Sequence, residues 1–377
     1  MIFSKNIISI TIWTYVKEKM KIAILSTFKL NFNGGGEKWI IEIASELLKL
    51  GHEVHVYAPE DPKIPDKKVD GIYENTYKSR IYTLGRKLKI YNLIYPLLNP
   101  KISEEYDITY STSFYCFFPI IHSKNKFIIG THDFYIAKSK ISIDSFRKVW
   151  IKVLGLIVKH KKIFIHSINK YITFQLKSIK SRVVEISTFP YHICMDELNV
   201  ADKFRLLFIG RIEYRKGANL LLKFARKVNS LQNIQLNVIG KIDENYEKLI
   251  LKENFSSNVK FLGVLDDSEV SNYLNNSDLL LFFSVREAFS ITVLEALYNG
   301  LPIVTTYEPL SFLIDEIYIK IAEDNVDDVF EKVKFYNNLF IENREEYLKL
   351  KIELLKRSRQ AYNKETLISK TVKFLSE

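Results

Sequence analysis

The sequence predicts an α/β chain with two doubly wound (Rossmann-like) parallel-sheet domains that face each other across a cleft. Three observations support this fold class. Buried strand-like segments alternate with amphipathic helical segments along both halves of the chain. The chain has 377 residues, 47% of them hydrophobic, which is too long for one ordinary core and enough to bury two. Glycine-rich or cationic turns follow strands in both halves, where sheets of this kind bind ligands.

Positive charge is concentrated in the first half of the chain. Residues 1–200 contain 30 Lys and Arg against 18 Asp and Glu, whereas residues 201–377 contain 25 against 26. A basic face can meet nucleic acid, an anionic membrane surface or a phosphorylated acceptor, or it can simply maintain solubility. Because no nucleic-acid-binding motif occurs, we predict no nucleic-acid partner and leave the other three readings open.

Residues 1–19 are predicted to be an extension ahead of the fold, since a second start-like stretch begins at Met20. Their apolar part, residues 7–16, is far shorter than the roughly 20 residues of a membrane span, and no small-residue cleavage site follows it. A short interfacial anchor is the alternative. Cys116 and Cys194 lack a C-x-x-C spacing, which favours a reducing, cytoplasmic location over a disulfide framework or a thiolate metal site.

Residues 20–190 are predicted to form the first domain, which opens with a βαβ unit. Its elements are a strand at 21–27, a helix at 37–50 and a strand at 53–58. The turn before the helix contains Gly34, Gly35 and Gly36, whose bare N–H groups can approach a phosphate at the helix N-terminus. The turn has neither the G-x-G-x-x-G form of a dinucleotide site nor the form of a P-loop, and an ordinary tight turn is the alternative.

The rest of the first domain offers one candidate site residue. Strands are predicted at 106–110, 127–130 and 163–167. His132 follows the second of these, and a side chain just past the carboxyl end of a strand points into the crevice of an open α/β sheet. A loop histidine that only orders the strand end is the alternative. The basic amphipathic stretch 146–160 is predicted to be either a core helix or a membrane-contacting one, and residues 187–202 are the predicted linker.

Residues 200–357 are predicted to form a second doubly wound domain. Its first strand ends in Gly210 and Arg211, and Lys216 follows five residues later, just before a helix. This spacing directs two cations to one spot, although a surface salt-bridge cluster has the same appearance. The alternation continues with strands at 234–240 and 259–262 and helices at 245–253 and 268–275, with Gly240 and the Gly263–Val264 turn at strand ends.

Two carboxylates eight residues apart lie in the stretch 284–304. A buried strand at 278–283 leads to Glu287, and a predicted helix at 291–299 carries Glu295. Glu287 is therefore on a loop at the carboxyl end of a strand and just before a helix N-terminus, where an anion can bind. The two acids form a binding pair only if a polyhydroxyl group lies between them, and two solvated helix charges are the alternative.

Three motifs together resemble the family 4 glycosyltransferases of the GT-B type. They are GGGEKWIIEIASELLKLGHEVHVYAP, GRIEYRKG, and the E-x7-E pattern of EAFSITVLEA followed by G-x-P. The resemblance covers most of residues 21–375. The catalytic residues that it implies are Arg211 and Lys216 at a diphosphate, Glu287 at the transferred sugar, and His132 at the transferred sugar or the acceptor. The substrate-binding residues that it implies are Gly35, Gly36, Gly240, Val264, Ala288, Phe289, Ser290 and Ile291, with Glu295 at a ribose.

The resemblance implies a retaining glycosyltransferase that uses a UDP- or GDP-sugar and a glycan or lipid-phosphate-linked acceptor. No D-x-D motif occurs, so we predict no metal ion and no other cofactor, with protein cations neutralising the leaving diphosphate. The basic first half suggests peripheral contact with anionic lipid at the inner face of the cell membrane. Residues 342–376 are predicted to form a charged helical tail, whose segment 358–377 resembles the helices that cross back to the first domain in this fold.

Two departures from the family pattern keep other functions open. Ser290 stands where the family usually has glycine, and its Cβ would narrow the approach of the backbone to a sugar. The segment 305–309 lacks the pair of glycines that the family usually places near the phosphates. A nucleotide-sugar epimerase of the same fold and a non-catalytic nucleotide-sugar-binding scaffold of a glycan assembly complex are therefore the alternative functions.

Overall fold

Two parallel β-sheets organise the protein. The computed structural model describes residues 19–32, 34–65, 68–69, 71–88, 102, 106–113, 125–132, 136–137, 152–153, 155–156, 162–176, 179, 182–192, 202–231, 233–313 and 315–376. The strands of the first sheet are β1 (Lys21–Leu25), β2 (Glu53–Pro59), β3 (Tyr73–Tyr77), β4 (Ile108–Ser111), β5 (Lys126–Gly130), β7 (Ile163–Ser167) and β8 (Val183–Glu185). The strands of the second sheet are β9 (Phe204–Ile209), β10 (Ile234–Ile239), β11 (Val259–Gly263), β12 (Leu279–Phe282), β14 (Ile303–Thr305) and β15 (Ile319–Ile321). A separate antiparallel pair is formed by β6 (Ile136–Ala137) and β13 (Arg286–Glu287).

Helices connect the strands of each sheet. The described helices of the first domain are α1 (Gly35–Lys49), α2 (Arg80–Leu88) and α3 (Lys170–Gln175). Those that follow β9 are α4 (Ala218–Val228), α5 (Glu244–Lys252), α6 (Asp267–Asn275), α7 (Ile291–Tyr298), α8 (Val326–Glu342), α9 (Arg344–Ala361) and α10 (Lys364–Ser376). Every strand pairing within the two large sheets is parallel, so the predicted doubly wound α/β fold class is confirmed.

The apolar pattern of the strands explains the two-sided packing of the first sheet. Adjacent residues Phe127 and Ile128 of β5 belong to two different buried clusters, because successive side chains of a strand point to opposite faces. One cluster also contains Trp39, Ile40 and other buried residues of α1 at helical spacing. The strand is buried on both faces, which is why it reads as a continuous apolar run.

Each sheet has one point where the strand order reverses. The first sheet has the order β3-β2-β1-β4-β5-β7-β8, and the second has the order β11-β10-β9-β12-β14-β15. The chain moves outward in one direction from β1 and β9 and in the other direction from β4 and β12. Ligands of open α/β sheets bind at this reversal, outside the carboxyl ends of the strands. We therefore expect ligand-binding residues in the turn before α1 and in the segments that follow β9 and β12.

The C-terminal tail consists of two helices rather than one continuous helix. It breaks at residues 362–363, where the side chain of Asn363 accepts a hydrogen bond from the N–H of Thr366 at 2.8 Å and starts a new first turn. The second helix, α10, packs against α1, and its apolar residues Leu367, Val372 and Leu375 belong to a core cluster of the first domain. The tail therefore returns to the first sheet after the second domain is complete.

Some predicted features fall partly or wholly on residues that the structure does not describe. The extension at 1–19 is described only at Lys19, the basic stretch 146–160 only at 152–153 and 155–156, and the linker only to His192 and at Asp202. Among the described helices, none combines the length and the hydropathy that crossing a bilayer requires.

Leu375→Ala tests the return of α10 to the first domain. Leu375 is fully buried, so truncation should leave a cavity and lower the free energy of unfolding by about 2–4 kcal/mol. Lys370→Ala, an exposed position of the same helix, is the matched control and should change it by less than about 0.5 kcal/mol. Urea unfolding measures both, and equal effects of the two variants would contradict the packing.

Candidate functional site

A turn that carries two cations follows β9. Gly217 has φ +82°, and a Cβ at this position would overlap the backbone of Phe283, just after β12. Glycine therefore allows the turn 211–216 to lie against the end of the neighbouring strand. The N–H of Val285 donates to the carbonyl of Arg215 at 2.8 Å and fixes this approach. The cation turn and the segment after β12 thus meet at the reversal point of the second sheet.

Lys216 and Glu287 form an ion pair at this meeting point. Lys216 Nζ lies 2.5 Å from Glu287 Oε1, and the Ser284 hydroxyl donates to the same oxygen at 2.7 Å. The two charged side chains are 19% and 7% exposed, so water screens the pair weakly. No described residue hydrogen-bonds Oε2 of Glu287. That oxygen can accept a hydrogen bond from a hydroxyl group of a ligand.

The loop that bears Glu287 is held by both domains. Tyr307 donates its hydroxyl to the carbonyl of Glu287 at 2.9 Å. From the first domain, the side-chain amide of Asn169 donates to the carbonyl of Ala288 at 3.1 Å. The strand β13 also pairs with β6, which places Glu287 opposite Ile136. The position of the acid therefore depends on the contact between the domains.

His132 lies near this interdomain contact. It follows β5 and stands four residues before Ile136, the backbone partner of Glu287. Four residues of extended chain reach at most about 14 Å, which bounds the backbone distance from His132 to Ile136. The residue is half-buried, and its Nε2 lies 2.9 Å from the phenolic oxygen of Tyr110. Chain length alone relates His132 to the acid loop, because its contacts within the described residues are with Tyr110, Trp39 and His166.

A pocket that is partly open to solvent lies beside the acid loop. Its polar lining includes Asn169 of the first domain and Glu287 and Ser290 of the second. Ser290 is buried and has φ −99°, a conformation open to any residue. The other lining residues are Tyr171, Ala288, Phe289, Tyr307, Pro309, Leu310 and Leu313. Such a lining suits a small ligand that carries both hydroxyl groups and apolar faces.

Glu295 on α7 is held by the segment that joins the domains. Its Oε1 accepts hydrogen bonds from the N–H groups of Tyr191 at 3.4 Å and of His192 at 3.2 Å, and His192 Nδ1 lies 2.7 Å away. Asn299 donates its side-chain amide to the carbonyl of His192 at 3.0 Å. No described residue hydrogen-bonds Oε2 of Glu295. Glu287 and Glu295 are therefore held in the same way. Protein donors bind Oε1 of each carboxylate, and Oε2 is available to a ligand.

His192 connects Glu295 to the first domain. Its Nε2 lies 3.1 Å from Asp267 Oδ1, and Lys38 of α1 donates to the same oxygen at 3.0 Å. Burial opposes a charge on His192, but the carboxylates of Glu295 and Asp267 outweigh it and raise the pKa of the imidazole. The contact with His192, followed by that with Lys38, lowers the pKa of Asp267. A charged network therefore crosses the domain boundary beside the acids.

The N-termini of α1 and α7 meet across the same boundary. A Cβ on Gly35, the first residue of α1, would overlap the side chain of Ile291, the first residue of α7, whereas a Cβ on Gly36 would face open space. Neither N-cap residue, Gly34 or Ser290, caps its helix with a side chain. The N–H groups of Gly35, Gly36 and Ile291 at the starts of these helices can therefore bind an anion.

A buried acid shares the first turn of α1. Glu37 is 5% exposed, and burial raises its pKa to about 7, although hydrogen bonds from the backbone of Glu37 and Gly34 oppose the shift. The carboxyl group is therefore close to half-protonated at neutral pH. Because a neutral carboxyl does not repel an anion, this protonation removes negative charge from the end of the helix where an anion can bind.

Three predicted residues lie on the same edge of the second sheet without touching the ion pair. The side chain of Arg211 is 55% exposed, and its guanidinium pairs with Glu213 at 3.1 Å. Gly240 lies so close to Gly210 that a Cβ would overlap the carbonyl oxygen of Gly210. Val264 is 74% exposed in the turn after β11. The structure thus groups their positions at the ends of β9, β10 and β11 and does not bring their side chains together.

Three contacts of the site had no clear signal in the sequence. His192 lies in the predicted linker, where its place beside Pro190 at the junction of the domains was the only indication. Asp267 had the pattern of an ordinary helix start. Tyr307 lies in the segment where the glycine pair is missing, and it supports the backbone of the acid loop with its hydroxyl. Each residue acts through a contact that is distant along the chain.

Family models match both domains. Residues 195–312 match the model described as Glycosyl transferases group 1, and residues 33–161 match the model described as Glycosyltransferase Family 4. All of the predicted site residues lie within these two ranges.

Known proteins are similar to this chain over different lengths. A phosphatidyl-myo-inositol mannosyltransferase of Mycolicibacterium smegmatis is 24% identical over 309 residues, which is 76% of each chain. An uncharacterized glycosyltransferase of Methanocaldococcus jannaschii is 30% identical over 107 residues, 28% of this chain and 27% of that protein. The structure of a sucrose-phosphate synthase from Thermosynechococcus elongatus superposes with a TM-score of 0.70 at 15% identity, covers 94% of this chain and 98% of that one, and shows a shared fold. The chain spans about a quarter of the length of several curated relatives that it matches.

Glu37→Gln is expected to change how stability depends on pH. The folded-state pKa of Glu37, about 7, exceeds its ordinary value of 4.5, so the stabilisation from its proton is complete below pH 4.5 and is lost as the pH rises through 7. An amide has no proton to lose. The free energy of unfolding of the variant, relative to the wild type, should therefore increase by about 3 kcal/mol between pH 4.5 and pH 8.

Urea unfolding across this pH range measures the difference. Glu46→Gln, a more exposed glutamate of the same helix, is the matched control. A difference between Glu37→Gln and the wild type that stays constant with pH would contradict the buried, partly neutral carboxyl group.

Proposed function

We propose that this chain, which belongs to the family 4 glycosyltransferases of the GT-B type, transfers a sugar from a nucleotide-diphosphate sugar to an acceptor, with retention of configuration and without a metal ion. The observation that carries the proposal is that the two carboxylates have the same pattern of hydrogen bonds. Glu287 and Glu295 each have Oε1 fixed by protein donors and Oε2 without a partner among the described residues. Glu287 lines the pocket, where its Oε2 suits a hydroxyl group of a sugar, and Oε2 of Glu295, outside the pocket lining, suits a hydroxyl group of a ribose.

Lys216 and Arg211 are proposed to stabilise the departing diphosphate. When the bond between sugar and phosphate breaks, negative charge accumulates on the phosphate oxygens, and cations placed beforehand in a poorly hydrated site lower the barrier. Lys216 is ordered by Glu287 before any ligand is present. Phosphate oxygens would compete with Oε1 of Glu287 for the ammonium group, and Arg211 is exposed enough to swing from Glu213 to the same anion.

The helix N-termini are proposed to bind the same diphosphate from the other side. The free N–H groups of Gly35, Gly36 and Ile291 lie where α1 and α7 meet. An anion held by backbone dipoles and by protein cations has its charge balanced without a divalent ion. Within the described residues no group of three or more His, Cys, Asp or Glu could hold a metal ion, and metal independence stays a prediction.

The base of the donor and the acceptor are proposed by class. A uracil or guanine nucleotide would lie along the edge formed by Gly240 and Val264, with its ribose at Glu295. A lipid-phosphate-linked or growing glycan is proposed as the acceptor, since the first half of the chain carries the net positive charge and one relative aligned over most of the chain is named for a lipid acceptor. The protein would then work at the cytoplasmic face of the membrane.

Lys216→Ala tests the proposed role of the cation. Loss of a preplaced charge at the leaving group should lower kcat/KM by about 100-fold or more. Lys216→Arg, which keeps the charge, should retain more activity, and Lys223→Ala, an exposed lysine of α4, should be close to the wild type. Transfer from labelled UDP- and GDP-sugars measures the effect, with and without EDTA, and thermal unfolding verifies that each variant is folded.

Each outcome of this assay has a defined meaning. Transfer that persists in EDTA and fails in Lys216→Ala supports the proposal. Activity abolished by the chelator, or unchanged in Lys216→Ala, contradicts the mechanism. Isomerisation of the sugar without an acceptor would instead identify an epimerase, and nucleotide binding without turnover over a broad acceptor panel would identify a scaffold.

Flotation with lipid vesicles tests the proposed membrane contact. The basic first half should bind vesicles that contain anionic phospholipid at low salt, with little binding to neutral vesicles. Raising the ionic strength to about 0.5 M should release most of the protein, because salt screens charges beyond the Debye length. Equal recovery with neutral and anionic vesicles would contradict an acceptor site at an anionic membrane surface.

A further inference from the structure

Three polar side chains form a hydrogen-bonded chain in the first domain. The phenolic oxygen of Tyr110, on β4, lies 2.9 Å from His132 Nε2 and 2.8 Å from His166 Nδ1. His166, on β7, has its Nε2 2.9 Å from the carbonyl oxygen of Ile186. This hydrogen-bonded series thus runs from a backbone carbonyl inside the domain to the histidine that is expected at the transferred sugar or the acceptor.

The backbone carbonyl of Ile186 determines the direction of every hydrogen bond among these three side chains. A carbonyl oxygen only accepts, so Nε2 of His166 carries the proton and donates to Ile186. In a neutral imidazole the other nitrogen is then an acceptor, and the Tyr110 hydroxyl must donate to it. The hydroxyl has a single proton, so its oxygen can only accept from His132, and Nε2 of His132 carries a proton. Nδ1 of His132 is consequently an unprotonated acceptor.

The surroundings keep both imidazoles neutral. Burial lowers the pKa of His132 to about 3, and burial lowers that of His166 to about 4. Trp39 packs against all three side chains. The centroid of its ring lies 4.5 Å from that of His132, 5.2 Å from that of Tyr110 and 5.8 Å from that of His166. Tyr110 and His166 are fully buried, His132 is half-buried, and the indole packs against the imidazole of His132, so a charged imidazole is disfavoured.

A glycine protects the junction between the hydroxyl and the first imidazole. A Cβ on Gly130 would overlap the hydroxyl of Tyr110 and crowd the ring of His132. Gly130 is not among the glycines with positive φ, so its backbone would accept alanine. Glycine is therefore needed at this position to leave room for the contact between Tyr110 and His132, and not for its backbone conformation.

We propose that Tyr110 and His166 are positioning residues that hold His132 as the Nε2–H tautomer, so that its Nδ1 accepts a hydrogen bond from a hydroxyl group of the substrate. No described residue hydrogen-bonds Nδ1. A lone pair at this place selects a hydroxyl and disfavours a carboxylate or another group without a proton to donate. The choice of substrate group rests on the proposed function, whereas the tautomer does not.

The tautomer is measured directly in the full-length protein without substrate. With histidine labelled in 15N, long-range proton–nitrogen correlation spectra at pH 7 should show a pyrrole-type Nε2 and a pyridine-type Nδ1 for both His132 and His166. His132→Gln and His166→Gln assign the signals. Tyr110→Phe removes only the hydroxyl and should convert His132 to a mixture of both tautomers, because Nε2–H loses its acceptor.

Two further variants keep this measurement decisive. Gly130→Ala removes no polar group but displaces the Tyr110 hydroxyl, and it should give the same mixture of tautomers. Tyr57→Phe is the matched control, since its hydroxyl lies on the same sheet and pairs with Tyr106 at 2.9 Å instead of with a histidine. A pyrrole-type Nδ1 or a charged ring for His132 in the wild type would overturn the proposal, as would a Tyr110→Phe spectrum identical to that of Tyr57→Phe.

Activity supplies an independent arm. Tyr110→Phe should lower kcat/KM by about tenfold, as expected for a misdirected hydrogen bond, and Tyr57→Phe by less than about twofold.

Donor analogues in which each sugar hydroxyl is replaced in turn by fluorine, which cannot donate a hydrogen bond, identify the hydroxyl group that His132 contacts. At one position the wild type should lose about tenfold in kcat/KM, and His132→Phe should show no such loss. Equal losses in both proteins at every position would overturn the hydroxyl assignment while leaving the tautomer result intact.

Discussion

The ion pair between Lys216 and Glu287 is the interaction on which the rest of the site depends. It joins the turn after β9 to the loop after β12 at the point where the strand order of the second sheet reverses. Gly217 makes this approach possible, since a side chain there would collide with the end of β12. A largely buried carboxylate without its cation would be costly, so each partner fixes the other before a ligand arrives.

A second polar system couples this pair to the relative position of the domains. Glu295 is held by His192, and His192 contacts Asp267, which Lys38 reaches from the first domain. The backbone pairing of β13 with β6 and the contact of Asn169 with the acid loop also link the acid loop to the first domain. A change in the angle between the domains would therefore alter both acids together.

The sequence predicted the fold well because both sheets are buried on two faces, which produces continuous apolar strands between amphipathic helices. It predicted less where elements are polar, as at the edge strand β3, whose residues are all half-buried or exposed. The motifs identified Lys216 and Glu287, since their spacing reflects one local turn and one local loop. His192 and Tyr110 were out of reach, because each acts on a residue 22 to 103 positions away and no periodicity records such a contact. The break in the tail at 362–363 depended on one capping asparagine.

The most direct test of the central claim is a crystal structure of the protein with a nucleoside diphosphate bound. We predict that Lys216 Nζ leaves Oε1 of Glu287 and lies within hydrogen-bond distance of a phosphate oxygen, while the two ribose hydroxyl groups contact Glu295. A diphosphate bound elsewhere, with the ion pair between Lys216 and Glu287 intact, would contradict it.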